Sequence, residues 1–327
     1  MTVEIKRGSG SERWIIAELG AATLDGLGRA LVVEDAAGRT LPSQLDLLPD
    51  GSAELVVDAD GAADGPLRVK PGQAQTKARI AVDTIADYEG QETLRFQIDG
   101  SSWYYHKAGG GFASIIDADG KDWLSFRPWG GSDGIYRGIP NLAYPDNVYH
   151  PGHFNCETSA PIVGPLRATF ETWSKDEVWG CRWHIFPDHA ELTVLKVGHP
   201  YWLLYEGTPS GKLDEAEDFC IRSDGLKRPL SESWDEVLPD PKWIAFGKEG
   251  RGRCLWLWSQ SPENAGCRDS FWPMEKNMTV FGYGRHDMNI YMEHVPARFA
   301  FGLTETQDAV RLRAAILSVG QSKTVSL

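Results

Sequence analysis

The sequence predicts a mostly-β protein in which one large antiparallel β-sandwich carries a small N-terminal β lobe. Short apolar runs bounded by Gly, Pro, Asp and Asn recur along the 327 residues, and helical periodicity is rare. Aromatic content rises along the chain, since Trp14 is the only tryptophan and Tyr88 the only tyrosine before residue 90. Successive strands without intervening helices favour a sandwich over a βαβ fold.

The small β lobe is predicted over residues 1–85, and the large sandwich over residues 86–327. Within the lobe, residues 30–33 and 55–57 are strand-like, and a turn-forming polar segment follows each of them. Residues 70–77 contain a Pro-Gly pair and are predicted to form a linker.

The predicted strands of the sandwich are longer and more aromatic. Leu94, Phe96 and Ile98 alternate with polar residues, which indicates a half-buried strand. Residues 166–173 and 179–186 flank a polar turn, so a hairpin is predicted there. Three further strands are predicted: a buried central strand at 253–258, an alternating strand at 299–303, and a last strand at 311–319.

Composition excludes several classes of protein. Hydrophobic residues make up 42% and charged residues 24%, which is typical of a globular chain. The net charge of −13 argues against a nucleic-acid partner. A run of about 18 apolar residues, which a membrane helix requires, is absent. Because the N-terminus lacks a signal-peptide core, we expect a cytoplasmic location, or a periplasmic or secreted one if a leader has been removed. The oligomeric state is left open.

The five cysteines form no CxxC pair, and their spacing predicts free thiols in a reducing compartment, with one structural disulfide as the alternative. His150, His153, Cys156 and Glu157 offer metal-ligating atoms, but they lack the spacing of a known zinc motif. We therefore expect neither a metal nor a cofactor.

The densest group of polar and aromatic side chains lies in residues 130–157. Proline and glycine occur throughout this segment, which predicts a loop with fixed bends rather than a strand or helix. A long loop is costly to order unless it serves a site. Its candidate functional residues are Tyr136, Arg137, Tyr144, Tyr149, His150 and His153.

These residue types suit β-elimination from a uronoside, in which a base removes the C5 proton and an acid protonates the leaving oxygen. His150 or His153 is the predicted base, Tyr144 or Tyr149 the acid, and Arg137 the carboxylate clamp. Alternatively, the segment is a packed loop whose tyrosine rings are buried and whose histidines bind backbone groups.

Other candidates lie further along the chain. Arg182 and His184 point to the same face of a predicted strand. This face is either a polar groove that binds substrate or an ordinary solvated face. Glu206 follows an apolar run and is either an acid–base group or a turn-capping carboxylate. Arg285 is a second candidate for an anionic substrate group, with a surface salt bridge as its alternative role.

Tryptophans near these polar clusters are candidates for sugar stacking, since sugars present apolar C–H faces to aromatic rings. Three lie in turn-rich segments, at Trp129, Trp202 and Trp272. Tyr136 is grouped with them as a substrate-binding residue.

The segment 198–202, Gly-His-Pro-Tyr-Trp, resembles the His-Pro-Tyr-Phe element that follows a strand in aldose epimerases. These enzymes belong to the galactose-mutarotase-like β-sandwich superfamily, which also includes domains of glycosidases and of polysaccharide lyases. The resemblance implies a large antiparallel sandwich, a carbohydrate substrate, and a role for His199 in ring opening.

Together these observations predict a carbohydrate-active enzyme, with a lyase of uronic-acid-containing glycans as the leading hypothesis. Two enzymatic alternatives are an aldose-epimerase-like isomerase that uses His199 and a carboxylate, and a glycoside hydrolase that uses Glu157 and Glu206. A non-catalytic sugar-binding module is the alternative from another class.

Overall fold

A computed structural model describes residues 2–7, 13–48, 51–73, 75–128, 137–143, 148–261, 267–274, 278–287, 289–319 and 324–326. The chain forms two compact units. The first comprises Met1–Ala81, Ile162–Ala168 and Ala314–Leu327, and the second comprises Val82–Pro161 and Thr169–Arg313. The boundary after residue 85 stays a prediction. In the described ranges, no helix is long and apolar enough to cross a membrane.

The elements of the first half of the chain are β1 (Val3–Ile5), β2 (Trp14–Leu19), α1 (Ala21–Leu27), β3 (Leu31–Glu34), β4 (Thr40–Leu41), β5 (Ser43–Leu47), β6 (Ala53–Asp58), β7 (Leu67–Pro71), β8 (Ile80–Tyr88), β9 (Gln91–Ile98), β10 (Ser101–His106), β11 (Gly111–Ile116), β12 (Gly138–Asn141), β13 (Cys156–Thr158) and β14 (Ile162–Val163).

The second half contains β15 (Ala168–Ser174), β16 (Gly180–Ile185), β17 (His189–Lys196), β18 (Leu203–Gly207), a 3₁₀ turn (Pro209–Gly211), β19 (Asp218–Arg222), β20 (Lys227–Pro229), β21 (Trp234–Glu236), β22 (Trp243–Lys248), β23 (Cys254–Ser259), β24 (Asp269–Met274), β25 (Met278–Tyr283), β26 (Arg285–His286), β27 (Asn289–Ile290), β28 (Ala297–Thr304), α2 (Ala309–Val319) and β29 (Thr324–Ser326).

The first unit has its own apolar core between two four-stranded sheets, with strand orders β1-β7-β3-β4 and β29-β2-β6-β5. Beside this core, Arg167 is fully buried and binds two carboxylates. Its Nε lies 2.9 Å from Asp46 Oδ2, and its Nη2 lies 2.6 Å from Glu54 Oε2. A buried arginine with two acidic partners makes this unit depend on an intact ion cluster.

The second unit is a sandwich of two large antiparallel sheets. The front sheet has the order β21-β24-β25-β18-β12-β11-β10-β9-β8, and the back sheet follows β13-β15-β16-β17-β28-β23-β22-β19-β20. Aromatic rings fill the space between the sheets, in contacts that include Phe96–Phe170 at 5.6 Å, Trp103–Phe301 at 5.6 Å and Tyr205–Phe246 at 5.0 Å. The predicted mostly-β sandwich is thereby confirmed, with 51% strand and 7% helix.

Several predicted strands are found where the alternation of residues placed them. Leu94, Phe96 and Ile98 are buried on β9. The predicted hairpin is formed by β15 and β16, and β23 is a central strand between β22 and β28. Alternating apolar residues thus identify the strands whose inner face meets the other sheet.

Two local predictions are wrong. Residues 311–319 belong to helix α2 rather than to a last strand, because Leu, Ala and Arg are good helix formers and Asp308 caps the helix. Asp308 Oδ1 accepts a hydrogen bond of 2.9 Å from the Arg311 N–H. The segment 130–157 also contains the short strand β12, where Pro140 lies within a register shift against β18 and so obscures the strand pattern.

Candidate active site

Glu206 lies on the outer face of the front sheet. Tyr205, its neighbour on β18, turns into the sandwich, where its ring packs 5.0 Å from Phe246 of the back sheet. Since successive side chains of a strand point to opposite faces, Glu206 points away from the aromatic interior. The residue is nevertheless only 7% exposed, because a loop covers this part of the face.

Pro151 anchors that covering loop to the sheet. Gly138 on β12 is the register partner of Glu206. A Cβ atom on Gly138 would lie 2.4 Å from Pro151 Cγ, so only glycine lets the proline approach this closely. Because Pro151 sits against the register partner of Glu206, the preceding residue, His150, is brought to the carboxylate.

His106 holds the other end of the loop. Its Nδ1 accepts a hydrogen bond of 3.1 Å from the Gly152 N–H, and its Nε2 donates to the Tyr88 carbonyl at 2.9 Å. Burial lowers the pKa of His106 to about 4, which keeps the ring neutral and able to accept. A Cβ on Gly152, whose φ is +88°, would lie 2.6 Å from Phe126 Cζ.

Tyr149, predicted as a catalytic acid, is buried in the sandwich. Its hydroxyl donates to the Thr172 carbonyl, and burial raises its pKa well above the ordinary value. Its φ of 58° is unusual for a bulky residue. The left-handed backbone lets the Tyr149 side chain point inward while the neighbouring His150 reaches Glu206, so Tyr149 does not join His150 at the carboxylate.

His150 and Glu206 form a buried pair. His150 Nε2 lies 2.7 Å from Glu206 Oε2, and the histidine is 3% exposed. His150 Nδ1 lies 2.8 Å from the Pro151 carbonyl. A carbonyl only accepts, so Nδ1 carries a proton. One further proton must lie between Nε2 and Oε2, which makes the pair either imidazolium–carboxylate or imidazole–carboxylic acid. Glu206 Oε1 is the atom through which this unit can exchange a proton.

Arg137, predicted as a carboxylate clamp, is buried near this pair. Its Nη1 donates to the Ser125 carbonyl at 3.2 Å. Burial lowers the pKa of Arg137 and the Arg127 charge acts in the same direction, whereas Asp122, Tyr205 and Glu206 act in the opposite one. A guanidinium remains charged at neutral pH, and this one therefore brings a desolvated positive charge into the site.

Arg285 is a second buried guanidinium within the electrostatic range of Glu206. It is 5% exposed, and its Nε donates to the Asp287 carbonyl at 2.8 Å. Its Cζ lies 5.6 Å from the centre of the buried Trp202 ring, in a cation–π contact. Burial lowers the pKa of Arg285, and Glu206 opposes this shift. Two cations therefore lie near one carboxylate.

His153 completes the group of predicted residues that come together. Its ring centre is 5.2 Å from that of His150. Burial, and then the charge on His150, lower the pKa of His153 to about 4, so this ring is neutral at neutral pH.

Other predicted residues lie elsewhere. Arg182 and His184 are on β16 of the back sheet, where Arg182 Nη2 binds Glu171 Oε1 at 2.7 Å and His184 Nδ1 lies 2.9 Å from Thr169 Oγ1. The structure does not bring these two residues to Glu206. Glu157 is exposed on β13, also in the back sheet.

His199 is exposed, with its ring edge-on to Trp179 at 4.9 Å and its Nδ1 2.6 Å from the Pro200 carbonyl. Trp272 is half-exposed on β24 of the front sheet. The remaining predicted residues, Trp129, Tyr136 and Tyr144, lie outside the described residues.

Sequence reasoning missed His106 and Gly138, which place the loop. Neither belongs to a recognisable motif, and only the register of β12 against β18 shows why they matter. Among the described residues, no group of three or more His, Cys, Asp or Glu is arranged to hold a metal. The cysteines are free, and burial raises the pKa of Cys156 to about 11.

No protein-family model and no curated protein matches this chain. Solved structures that are similar to it include the protein HI1317, with a TM-score of 0.48 and 13% identity over 71% of this chain and 98% of that one. YeaD, a candidate mutarotase from Salmonella typhimurium, has a TM-score of 0.43 and 10% identity over 68% and 92%. A galactose mutarotase-like protein from Clostridium acetobutylicum has a TM-score of 0.43 and 9% identity over 69% and 98%.

With identities of 9–13% and TM-scores below 0.5, these proteins provide no basis for a function. The function proposed for this chain therefore rests on its own residues.

Proposed function

We propose that this chain is a carbohydrate-active enzyme that transfers a proton at a sugar bearing a carboxylate. The observation that carries the proposal is the buried 2.7 Å contact between His150 and Glu206, near the two buried guanidinium groups of Arg137 and Arg285. A buried, hydrogen-bonded acid–base pair near desolvated cations is a typical arrangement for proton abstraction next to an anionic group.

The carboxylate of the sugar is the part of the substrate that the two arginines suit. A planar guanidinium pairs with a carboxylate through two parallel hydrogen bonds, and burial strengthens the pairing. The chain as a whole carries a charge of −13, so a local pair of cations is needed to attract an anionic sugar.

The finer proposal is that the reaction is β-elimination from a uronoside. Because His150 is bonded to Glu206, the two residues form one proton-transfer unit rather than a separate acid and base. Glu206 Oε1 would remove the C5 proton, and Arg137 and Arg285 would stabilise the enolate that forms on the sugar carboxylate. The C4–O bond then breaks, a C4=C5 double bond forms, and the same unit returns the proton to the leaving oxygen.

An aldose-epimerase-like isomerase is the second candidate, because a glutamate and histidines are the residue types that ring opening uses. That reaction needs a base at the anomeric hydroxyl and an acid at the ring oxygen. The Glu206–His150 contact would then have to open, or His153 would have to act as the partner of Glu206.

A panel of uronic-acid polysaccharides and their monomers distinguishes these reactions. Unsaturated-product absorbance together with new reducing ends indicates a lyase, and new reducing ends alone indicate a hydrolase. Faster equilibration of anomers of the monomers, followed by NMR, indicates an epimerase. If the panel gives none of these signals, the enzymatic proposal is wrong.

The Glu206→Gln substitution tests the assigned residue. Loss of an acid–base group should lower kcat by about 10²–10⁴-fold. Glu157→Gln is the matched control, since this exposed carboxylate lies on the back sheet, and it should retain parental kcat. Near-parental turnover by a folded Glu206→Gln protein would exclude Glu206 as the proton-transfer group.

The arginines are tested by Arg137→Lys and Arg285→Lys, with Arg182→Lys as the matched control on the back sheet. Lysine keeps the charge but loses the bidentate fork. Both site variants should therefore raise KM for the carboxylated substrate, whereas the control should not.

A further inference from the structure

A pocket of about 350 Å³ lies on the same outer face as Glu206. It is lined by residues of β21, β24 and the segment around β26, among them Asp235, Ser270, Trp272 and Arg285. The Glu206–His150 pair is not among its lining residues, so the pocket is a separate feature of the face.

The strand register fixes where this pocket lies relative to Glu206. Glu206 on β18 pairs with Val280 on β25, and Val280 pairs with Trp272 on β24. Directly opposed residues of neighbouring strands share a face. Since neighbouring strands are about 4.8 Å apart, the Trp272 backbone lies roughly 10 Å from that of Glu206 along the sheet.

Arg285 connects the two places. A Cβ on Gly282 would lie 2.9 Å from Arg285 Cβ and 2.5 Å from Leu204 Cδ2, so the Arg285 side chain crosses β25 at this glycine. Arg285 therefore interacts electrostatically with Glu206 and also lines the pocket.

Two residues that line the pocket, Ser270 and Arg285, each carry a buried polar atom without a hydrogen-bond partner among the described residues. Arg285 Nη1 and Ser270 Oγ are buried and have no hydrogen-bond partner in the part of the chain that the structure describes. Arg285 is 5% exposed and Ser270 6%. A buried donor without a partner is costly, and a small turn of either side chain towards the pocket would let an oxygen-rich ligand satisfy it.

An exposed indole forms the apolar side of the pocket. Trp272 is 49% exposed, whereas the neighbouring Trp234 and Phe271 are buried in the sheet. A flat ring beside a few convergent polar groups is the arrangement that binds a sugar ring, whose C–H face stacks on the aromatic ring.

We infer that this pocket is a second sugar subsite, and that the substrate is a saccharide of at least two residues. One residue reacts at Glu206, and the next stacks on Trp272 and accepts hydrogen bonds from Arg285 and Ser270. The inference rests on the proposed function, because it takes Glu206 as the reacting position.

The test compares chain lengths. Galacturonate, glucuronate and their dimers and trimers are titrated calorimetrically into the Glu206→Gln protein, with and without Trp272→Ala. In proteins that retain Glu206, kcat/KM is measured for the same sugars with and without Trp272→Ala. Trp272→Ala should weaken binding of the dimers and trimers by about 3–10-fold and leave the monomers unchanged. Trp173→Ala, a partly exposed tryptophan of the back sheet, is the matched control and should change neither.

Each outcome decides one question. The inference is overturned if no dimer binds better than its monomer, or if Trp272→Ala affects all lengths equally. If Glu206→Gln keeps full turnover while the length-dependent effect of Trp272 persists, the proposed reaction fails and the subsite stands. If Glu206→Gln is inactive but chain length has no effect, only the subsite fails.

Discussion

Replacing Gly138 by alanine should separate His150 from Glu206 without changing either residue. The new Cβ would lie 2.4 Å from Pro151 Cγ and 2.9 Å from the Phe112 carbonyl oxygen. Carbon atoms pack at about 3.5–4.0 Å, so Pro151 must retreat by about 1 Å. His150, bonded to Glu206 at 2.7 Å, would move with it, beyond good hydrogen-bond geometry.

Such overpacking should cost about 1–3 kcal/mol of unfolding free energy, and a displacement of about 1 Å should lower kcat by about 100-fold. The assay is kcat and thermal unfolding of Gly138→Ala on the best substrate. Gly20→Ala is the control, since a Cβ there meets no atom within 4 Å, and it should be neutral for kcat.

A second substitution tests the cause. Pro151→Ala removes the two ring atoms that the Gly138 Cβ would meet, so the double variant should recover part of the lost stability and activity. Parental kcat in Gly138→Ala alone would refute the reasoning, because it would mean that the seat of Pro151 does not place His150.

Two further predictions concern stability. Burial lowers the pKa of His189, but Asp188 and Glu191 outweigh it and raise the pKa from 6.5 to about 9. Between pH 6.5 and about 9 the folded state keeps a proton that the unfolded state releases, so the free energy of unfolding should fall by about 3 kcal/mol as the pH rises through this range. Urea titrations at several pH values should show this decrease in the parent protein and not in His189→Gln. Arg167→Met should lower the free energy of unfolding by about 3–5 kcal/mol because it leaves two acidic partners without a counter-charge. Arg95→Met, in an exposed pair, should cost less than about 1 kcal/mol. Equal losses of the two variants in thermal unfolding would contradict this.

The sequence is informative about strands whose inner face meets the other sheet. The alternation on β9 and the apolar run of β23 are imposed by packing against aromatic rings, and that pressure leaves a visible pattern. Helix α2 carries a different pattern, since its apolar Leu312, Ile316 and Val319 follow helical spacing. The strand predicted at residues 311–319 is therefore wrong, because this spacing is that of a helix.

Several residues of the candidate site can be predicted from the sequence, but the pairing of His150 with Glu206 cannot. The sequence predicts His150 and Arg137 as site residues because they lie in one polar segment. It predicts Glu206 because this residue follows an apolar run. The two members of the pair are 56 positions apart, and they meet only because β12 lies beside β18 in one register. Long-range register follows from the whole sheet, which a local pattern does not specify.

The packing of the sandwich also determines which candidates can share a site. Its interior is filled by aromatic rings, and a dense apolar interior has no place for a charged pair with two arginines. Glu206 must therefore lie on the outer face of the front sheet. Trp183 turns into the interior between Arg182 and His184, so those two side chains lie on the outer face of the back sheet. Two outer faces are separated by both sheets and the layer of about 10 Å between them. The polar groups of β16 therefore cannot act on a sugar bound at Glu206, whereas Arg285 and Trp272, on the same face as Glu206, can.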